Sequence, residues 1–331
     1  MKPDPTRAVQ ANNVISPSPE AISRAVELLR EGQVVGMPTE TVYGLAGDGL
    51  NPAALARIFE VKQRPLFDPL ILHFSDAASA FAMAAEVPKA ACELAQRFWP
   101  GPLTLVLRKK DIVPDLATSG LPNVAVRVPA HPVAQELLRA FGGPLAAPSA
   151  NRFGRISPTD ALAVQAELGD EVPLILDGGP CMVGLESTVL SLAEDRPVLL
   201  RAGGIPQEDI EFIIGLVQHA APGDDRPQAP GQLKHHYAPR KPLRLVRDSA
   251  EIPLQADIGL LLFGSPGWID AYSCVMENIS PAGDLREAAA NFFRVLRALD
   301  DNPQVAVLYA QRLPAHGLGV AINERLERAS G

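Results

Sequence analysis

The sequence predicts an α/β protein: a mixed sheet in a large first domain, then a smaller, open α/β domain. Three observations carry that expectation. Short apolar runs alternate with helical patterns along the first two-thirds of the chain. Around residues 219–241 the periodicity is lost among Pro, Gly, Asp and Gln, with Pro222, Pro227, Pro230 and Pro239 excluding regular structure. At 331 residues with 47% hydrophobic content, the chain is long enough to bury two cores. With aromatics at 5%, those cores must be built mainly from Ala, Val, Leu and Ile.

The elements follow in order. Ile22, Ala25, Val26 and Leu29 recur at helical spacing over 19–30, with Ser18 as N-cap, Pro19 in the first turn and Gly32 just past the end. Val34 to Met37 form a short buried strand. Asn51 and Pro52 open a second helix through Leu55, Ile58 and Phe59, which delivers Lys62 near its end. Apolar runs at 70–74, 103–107, 124–128, 174–176, 189–192 and 198–200 read as further strands, and helical patterns start near Pro132 and Thr159. Later runs at 243–246, 258–263 and 305–309 flank a helix over 285–299, and a last helix covers 320–328. The expected organisation is a domain over 1–218, a linker over 219–241 and a C-terminal α/β domain over 242–331.

Composition narrows the function. A formal net charge of −8 argues against wrapping nucleic acid, so any RNA contact is local and weak. Cys92, Cys181 and Cys274 have neither a paired framework nor Cys-x-x-Cys spacing and read as free buried thiols. The polar N-terminus lacks a signal-peptide core, and no apolar run approaches the roughly 18 residues that span a bilayer. The expected location is a reducing cytoplasm, with no membrane partner.

Open α/β sheets bind ligands where strands finish, and several such loops here are unusually polar. Pro38-Thr-Glu-Thr-Val-Tyr-Gly44 follows a buried strand and offers hydroxyls and backbone donors; it is equally an ordinary capped turn. Lys62 and Arg64 can share one anion, with Pro65 ending the helix, or simply lie at a solvated helix end favoured by the macrodipole. His73 closes an apolar run, where an imidazole serves a ligand or a core partner. Arg127, flanked by apolar residues, demands a carboxylate from the protein or from a substrate. The segment from Ala147 through Ser149, Asn151 and Ser157 presents small hydroxyl and amide groups suited to phosphate oxygens, or a turn with an N-cap. Ser187 begins another strand, and Arg201 ends one before Gly203 and Gly204, where a ligand could approach the backbone. The chain has no Walker-type phosphate loop, dinucleotide fingerprint, nucleophile elbow or metal-ligand cluster in its sequence.

Taken in order, Pro38–Gly44, Lys62-Gln-Arg64-Pro65, 69–73, Ser149-Ala-Asn151, Ser187-Thr188 and Arg201-Ala-Gly-Gly204 resemble the YrdC-type threonylcarbamoyl-AMP synthases. His235-His236-Tyr237-Ala-Pro239 before a second domain resembles the long, two-domain form, so the likeness covers nearly the whole chain. The resemblance implies a YrdC-like twisted, mostly parallel mixed sheet around a large concave cavity, with a Rossmann-like C-terminal domain. It also implies a reaction: L-threonine, bicarbonate or CO2 and ATP give L-threonylcarbamoyl-AMP and pyrophosphate. The product passes to a transferase complex that modifies an adenosine next to the tRNA anticodon.

Carried over by motif, Lys62, Arg64, Ser149 and Asn151 form the catalytic, phosphate-holding tetrad. Ser157, Arg201 and Tyr237 complete the nucleotide side, with Asp68 and Asn123 as further nucleotide neighbours. Thr41, His73, Arg127, Ala147 and Ser187 surround threonine. Mg2+ is expected to ride on ATP without protein side-chain ligands. Asp68 stands where asparagine is expected and Asn123 where threonine is common; a carboxylate there opposes a triphosphate unless magnesium intervenes. The linker carrying Tyr237 is expected to close the cavity as a lid. Two rivals are an RNA-binding module in which Lys62, Arg64, Arg127, Arg152, Arg155 and Arg201 form a basic concavity, and an enzyme handling a carbamoyl phosphate-derived adenylate. The shortage of stacking aromatics opposes the first and the missing zinc-binding regions oppose the second.

Overall fold

The structure, a computed structural model, describes residues 13–220 and 236–331. The N-terminal stretch and most of the expected linker, His235 included, lie outside the described residues.

The first helices begin where their caps specify. Ser18 Oγ accepts from the Ala21 N–H at 3.1 Å and starts the helix Pro19–Arg30. Asn51 caps Pro52–Lys62 through the Ala53 N–H at 2.9 Å. That helix stops at Gln63, which turns left-handed (φ 52°), while the Arg64 N–H returns to the Phe59 carbonyl at 2.9 Å. The turn leaves both Lys62 and Arg64 buried rather than in solvent.

Among the described residues, eleven strands form one mixed sheet. From one edge they run Val14–Ile15, Ile175–Leu176, Val35–Met37, Gly44–Asp48, Leu145–Ala146, Ile71–His73, Asn123–Arg127, Leu103–Arg108, Thr188–Ser191, Val198–Arg201 and Gln218–His219. Parallel and antiparallel neighbours are balanced, five pairings of each. A second sheet is wholly parallel, in the order Leu243–Val246, Val307–Gln311, Ile258–Leu262 and Val275–Asn278. The α/β class is thus present in both units.

Register sets the polar residues at both ends of the short central strands. His73 lies opposite Arg127 in a parallel pair, whereas the antiparallel strand sets Leu145 opposite His73 and Ala146 opposite Leu72, so Ala147 follows at the other end, donating to the Ile71 carbonyl at 3.1 Å. Thr188 faces Leu103, and a register shift turns Arg201 opposite Val189. Pro38 to Tyr43, expected to be a loop leaving a strand, connects two antiparallel central strands, because Gly44–Asp48 pairs with Val35–Met37. Small residues rather than β-branched ones fill that second strand, which hid it in the sequence. The strand Val275–Asn278, also unforeseen, is a partly exposed sheet edge. Gln218–His219 pairs with Val198–Leu199, so the first sheet runs one residue into the expected linker.

The two units share a core. Val42, Ile156, Leu185 and Ala202 of the first pack in one cluster with Phe292, Phe293 and Leu296 from the helix Leu285–Asp301. Arg297 crosses the same boundary to Glu167 at 2.7 Å and to the Ile156 carbonyl at 2.8 Å. The second domain therefore packs against loops that lead to the strand ends. None of the cysteines is in a disulfide; Cys181 is buried as expected, whereas Cys92 is exposed on the helix Lys89–Phe98 and Cys274 is half-buried, correcting that reading at both. No helix among the described residues is long and apolar enough to cross a membrane.

One glycine fixes a crossing of chains at these strand ends. A Cβ on Gly203 would fall 2.4 Å from the Glu186 carbonyl oxygen, the Ser187 carbonyl carbon and the Thr188 nitrogen, all backbone. Gly203→Ala should lower stability by about 1–3 kcal/mol by overpacking. Urea unfolding checks this, and an unchanged midpoint would contradict the close approach.

Candidate active site

A cleft opens across the short central strands, between these two ends, beside His236 and Tyr237. All five residues grouped around threonine line it: Thr41, His73, Arg127, Ala147 and Ser187. Four of the nine grouped with the nucleotide join them: Arg64, Ser149, Arg201 and Tyr237. Val42, Ile71 and Pro148 supply its apolar wall.

Arg127 anchors one end. Its buried guanidinium donates from Nη2 to Glu40 Oε1 at 2.6 Å, from Nη1 to Thr41 Oγ1 at 3.0 Å and from Nε to the Gly101 carbonyl at 3.2 Å. The partner is thus a protein carboxylate. Glu40 is fixed in turn by the Ala130 N–H at 3.0 Å, and Thr41 by Thr39 Oγ1 at 2.8 Å. Three of the five guanidinium N–H groups are spent on this frame, leaving two for a planar anion. Beside it His73 Nδ1 lies 3.2 Å from the Ile71 carbonyl. Burial first, and Arg127 second, push the imidazole down to about 3, so it stays neutral.

The other end is cationic. Arg64 wraps its own loop, donating to the carbonyls of Asp68 at 3.0 Å and Pro69 at 2.8 Å, while Nη2 lies 2.9 Å from the Asp68 carboxylate. Arg201 donates to the Ser187 carbonyl at 2.8 Å and Oγ at 3.2 Å. Ser187 Oγ shares a 2.7 Å hydrogen bond with Thr104. Tyr237 adopts φ 65°, a rare backbone for an aromatic residue, and its buried hydroxyl has no hydrogen-bond partner among the described residues. Ala238 pins it by donating to the Gly154 carbonyl at 2.8 Å. His236 packs on Tyr237, with ring centroids 4.1 Å apart, and lines the cleft as well.

Five expected residues stand behind the wall rather than in it. Lys62 Nζ donates to the Ser149 carbonyl and, at 2.6 Å, to the Asn151 carbonyl, so it holds the loop that presents Ser149. Burial, then Arg64, push this amine well below the ordinary lysine range. Asn151 Nδ2 ties the same loop to the Arg152 and Arg155 carbonyls, while its Oδ1 has no partner among the described residues. Ser157 is not an N-cap, a role taken by Asp160; its hydroxyl donates to Glu186 at 2.6 Å. Asp68, expected beside the nucleotide, is fully buried and faces Arg64; burial raises its pKa, opposed by Arg64 and Lys62. Asn123 begins the strand that Arg127 ends, four residues and about 13 Å away along an extended chain.

Sequence reasoning passed over Glu40, Glu186 and His236. Glu40 had a signal, since it lies inside the first polar motif. Glu186 precedes Ser187 and lines the cleft.

The pH dependence of stability follows from His73. Its lowered pKa means that the unfolded chain takes up a proton below about 6.5 that the folded chain refuses until about 3. The contribution is complete above 6.5 and is lost as pH falls through that window, with a limiting slope of about 1.4 kcal/mol per pH unit. Urea titrations should show the stability gap between the parent and His73→Gln narrowing from pH 7 to pH 5. A constant gap would refute the neutral, buried imidazole.

Residues 27–203 match the Sua5/YciO/YrdC family, described as telomere recombination, and residues 205–331 match the threonylcarbamoyl-AMP synthase C-terminal domain. The Pyrococcus abyssi threonylcarbamoyl-AMP synthase is 42% identical over 93% of both chains, and that of Bacillus subtilis is 39% identical over 98% of this chain and 96% of its own. The crystal structure of P. abyssi Sua5 complexed with L-threonine superposes with a TM-score of 0.87 at 39% identity, covering 96% of each chain. E. coli YciO superposes with a TM-score of 0.51 at 28% identity, covering 58% of this chain and 94% of its own. The chain therefore belongs to the Sua5/YciO/YrdC family, in the form that carries the Sua5 C-terminal domain.

Proposed function

We propose that this protein is an L-threonylcarbamoyladenylate synthase, converting L-threonine, bicarbonate or CO2 and ATP to L-threonylcarbamoyl-AMP and pyrophosphate. One observation carries the reading: a clamp suited to a carboxylate, at Arg127 and Thr41, shares a cleft with Arg64, Ser149, Arg201 and Tyr237. The P. abyssi relative complexed with L-threonine supports the same assignment.

The chemistry asks little covalent work of the protein. The threonine amine adds CO2 to form a carbamate, and a carbamate oxygen attacks the α-phosphorus of ATP as pyrophosphate leaves. The protein must hold two anions in line and disperse their charge. In this reading Arg127 grips the threonine carboxylate through its two remaining N–H groups, with Thr41, His73, Ala147 and Ser187 around the amino acid. Arg64, Ser149, Arg201 and Tyr237 face the nucleotide, and Lys62, Asn151 and Ser157 set the loops behind them. Asp68 acts on the nucleotide through Arg64, and Asn123 would reach only a ligand extending along its strand.

Mg2+ would be held by the phosphates. Among the described residues, the carboxylates named at the cleft already face arginines: Glu40 faces Arg127, Asp68 faces Arg64, and Glu186 faces Arg325. When bound, the ion would neutralise triphosphate charge. Tyr237 and His236, at the end of the linker, form the lid that excludes water from the labile carbamate. The product would go to a tRNA-modifying transferase complex in the cytoplasm, where the three thiols remain reduced. The RNA-binding alternative is disfavoured because Arg64, Arg127 and Arg201 are buried and engaged within the protein, not spread on an open face.

Pyrophosphate release with ATP, bicarbonate and each amino acid in turn tests the reading. Release should require L-threonine, and indifference to the amino acid would defeat it. Arg127→Gln should raise the KM for threonine roughly 10- to 100-fold, the value of a lost charge-assisted pair. An unchanged KM would remove Arg127 from the carboxylate site.

A further inference from the structure

We infer that Arg325, on the last helix of the second domain, is a positioning residue for the nucleotide side of the cleft: it clamps one Glu186 oxygen so that the other holds Ser157. The inference rests on the proposed site and extends it across the domain boundary.

The helix Leu318–Ser330 is amphipathic, and position 325 would ordinarily carry an apolar residue toward the core. Instead Arg325 is buried, its side chain 1% exposed, on the same helix as the buried Ile322 and Leu326. Nε and Nη2 each donate to Glu186 Oε2 at 3.0 Å, and Nη1 donates to the Ala202 carbonyl at 2.7 Å. Its guanidinium carbon also sits 5.4 Å from the centroid of the Tyr237 ring. Glu186 Oε1 accepts the Ser157 hydroxyl at 2.6 Å. One side chain of the second domain thus reaches two residues of the cleft, Glu186 directly and Tyr237 through its ring, and through the carboxylate it reaches Ser157 behind the wall. A buried ion pair adds little to stability over an apolar contact, so its value lies in geometry.

The clamp has a titration signature. Glu186 is faced by Arg325 from the last helix, with Glu324 3.9 Å from Arg325, by Arg201 at the end of its strand, and by Ser157 and Tyr237. Burial disfavours the Glu186 carboxylate, and Arg325 and then Arg201 overcome it. Without Arg325, only Arg201, the Ser157 hydroxyl and a backbone hydrogen bond are left to oppose burial. Glu186 then takes up a proton more readily, and the protonated acid no longer offers Ser157 the same acceptor.

Full-length Arg325→Met tests this. The KM for ATP should rise roughly tenfold, the value of one lost positioning contact. The rate–pH profile should gain an acid limb absent from the parent, and the limb should vanish in Arg325→Met/Glu186→Gln, where nothing titrates. A folded Arg325→Met with the parent's KM and pH profile would overturn the inference. Should the methionine variant fail to fold, Arg325→Lys, which keeps the charge but not the two-pronged grip, is expected to raise the KM; a parental KM would overturn the inference. If the parent releases no threonine-dependent pyrophosphate, the synthase reading falls separately. The clamp is then judged by the Glu186 carboxyl 13C shift, which should report a carboxylate at pH 7 in the parent and a raised titration midpoint in the variant; equal midpoints would overturn it.

Discussion

A guanidinium buried in a protein interior must have its charge and its N–H groups met there, and this fold carries Arg64, Arg127, Arg201 and Arg325 inside. The requirement organises the cleft. Glu40 holds Arg127, Asp68 holds Arg64 and Glu186 holds Arg325, so each of these three charges arrives with its own orienting partner. The pairing costs desolvation, but it fixes Arg64 and Arg127 on the cleft before any ligand arrives, with Arg325 set behind it. Arg201 is oriented differently, by the Ser187 carbonyl and hydroxyl.

The sheet makes this convergence possible. Parallel pairing sets His73 beside Arg127, while antiparallel insertion of Leu145–Ala146 carries Ala147 beside Ile71 and Ser149 beside Gly44, at the other end of these short strands but on the same cleft. Behind that end, Lys62 ties the Ser149–Asn151 loop to the helix Pro52–Lys62, and Gly203 lets the Arg201 loop cross the Glu186–Thr188 backbone. The second domain completes the cleft through shared packing and through Arg325. That contact gives it a role in geometry as well as in covering the ligand.

Much of this was legible in the sequence, and the gaps have physical causes. Ser18 and Asn51 marked their helices because caps are local, and the polar motifs named every residue assigned to the threonine end. Arg127 announced that it needed a carboxylate, but the choice of Glu40, 87 residues away, is made by tertiary structure. Lys62 read as a solvent-facing helix end or a direct phosphate ligand, whereas the left-handed turn at Gln63 buries it against the Ser149–Asn151 loop. Arg325 gave no signal at all, since an arginine on an amphipathic helix resembles a solvated face until the partner domain is known. The strand Gly44–Asp48 was hidden by its small residues, which pack well only between neighbours on both sides.

The central claim, that these paired arginines frame adjoining sites for an amino acid and a nucleotide, is tested most directly by a crystal structure with L-threonine and a non-hydrolysable ATP analogue. The threonine carboxylate should lie on the Arg127 N–H groups that Glu40 and Thr41 leave open, with its amine toward an α-phosphate near Arg201 and Ser149. Ligands bound outside this cleft, or a threonine carboxylate away from Arg127, would contradict it.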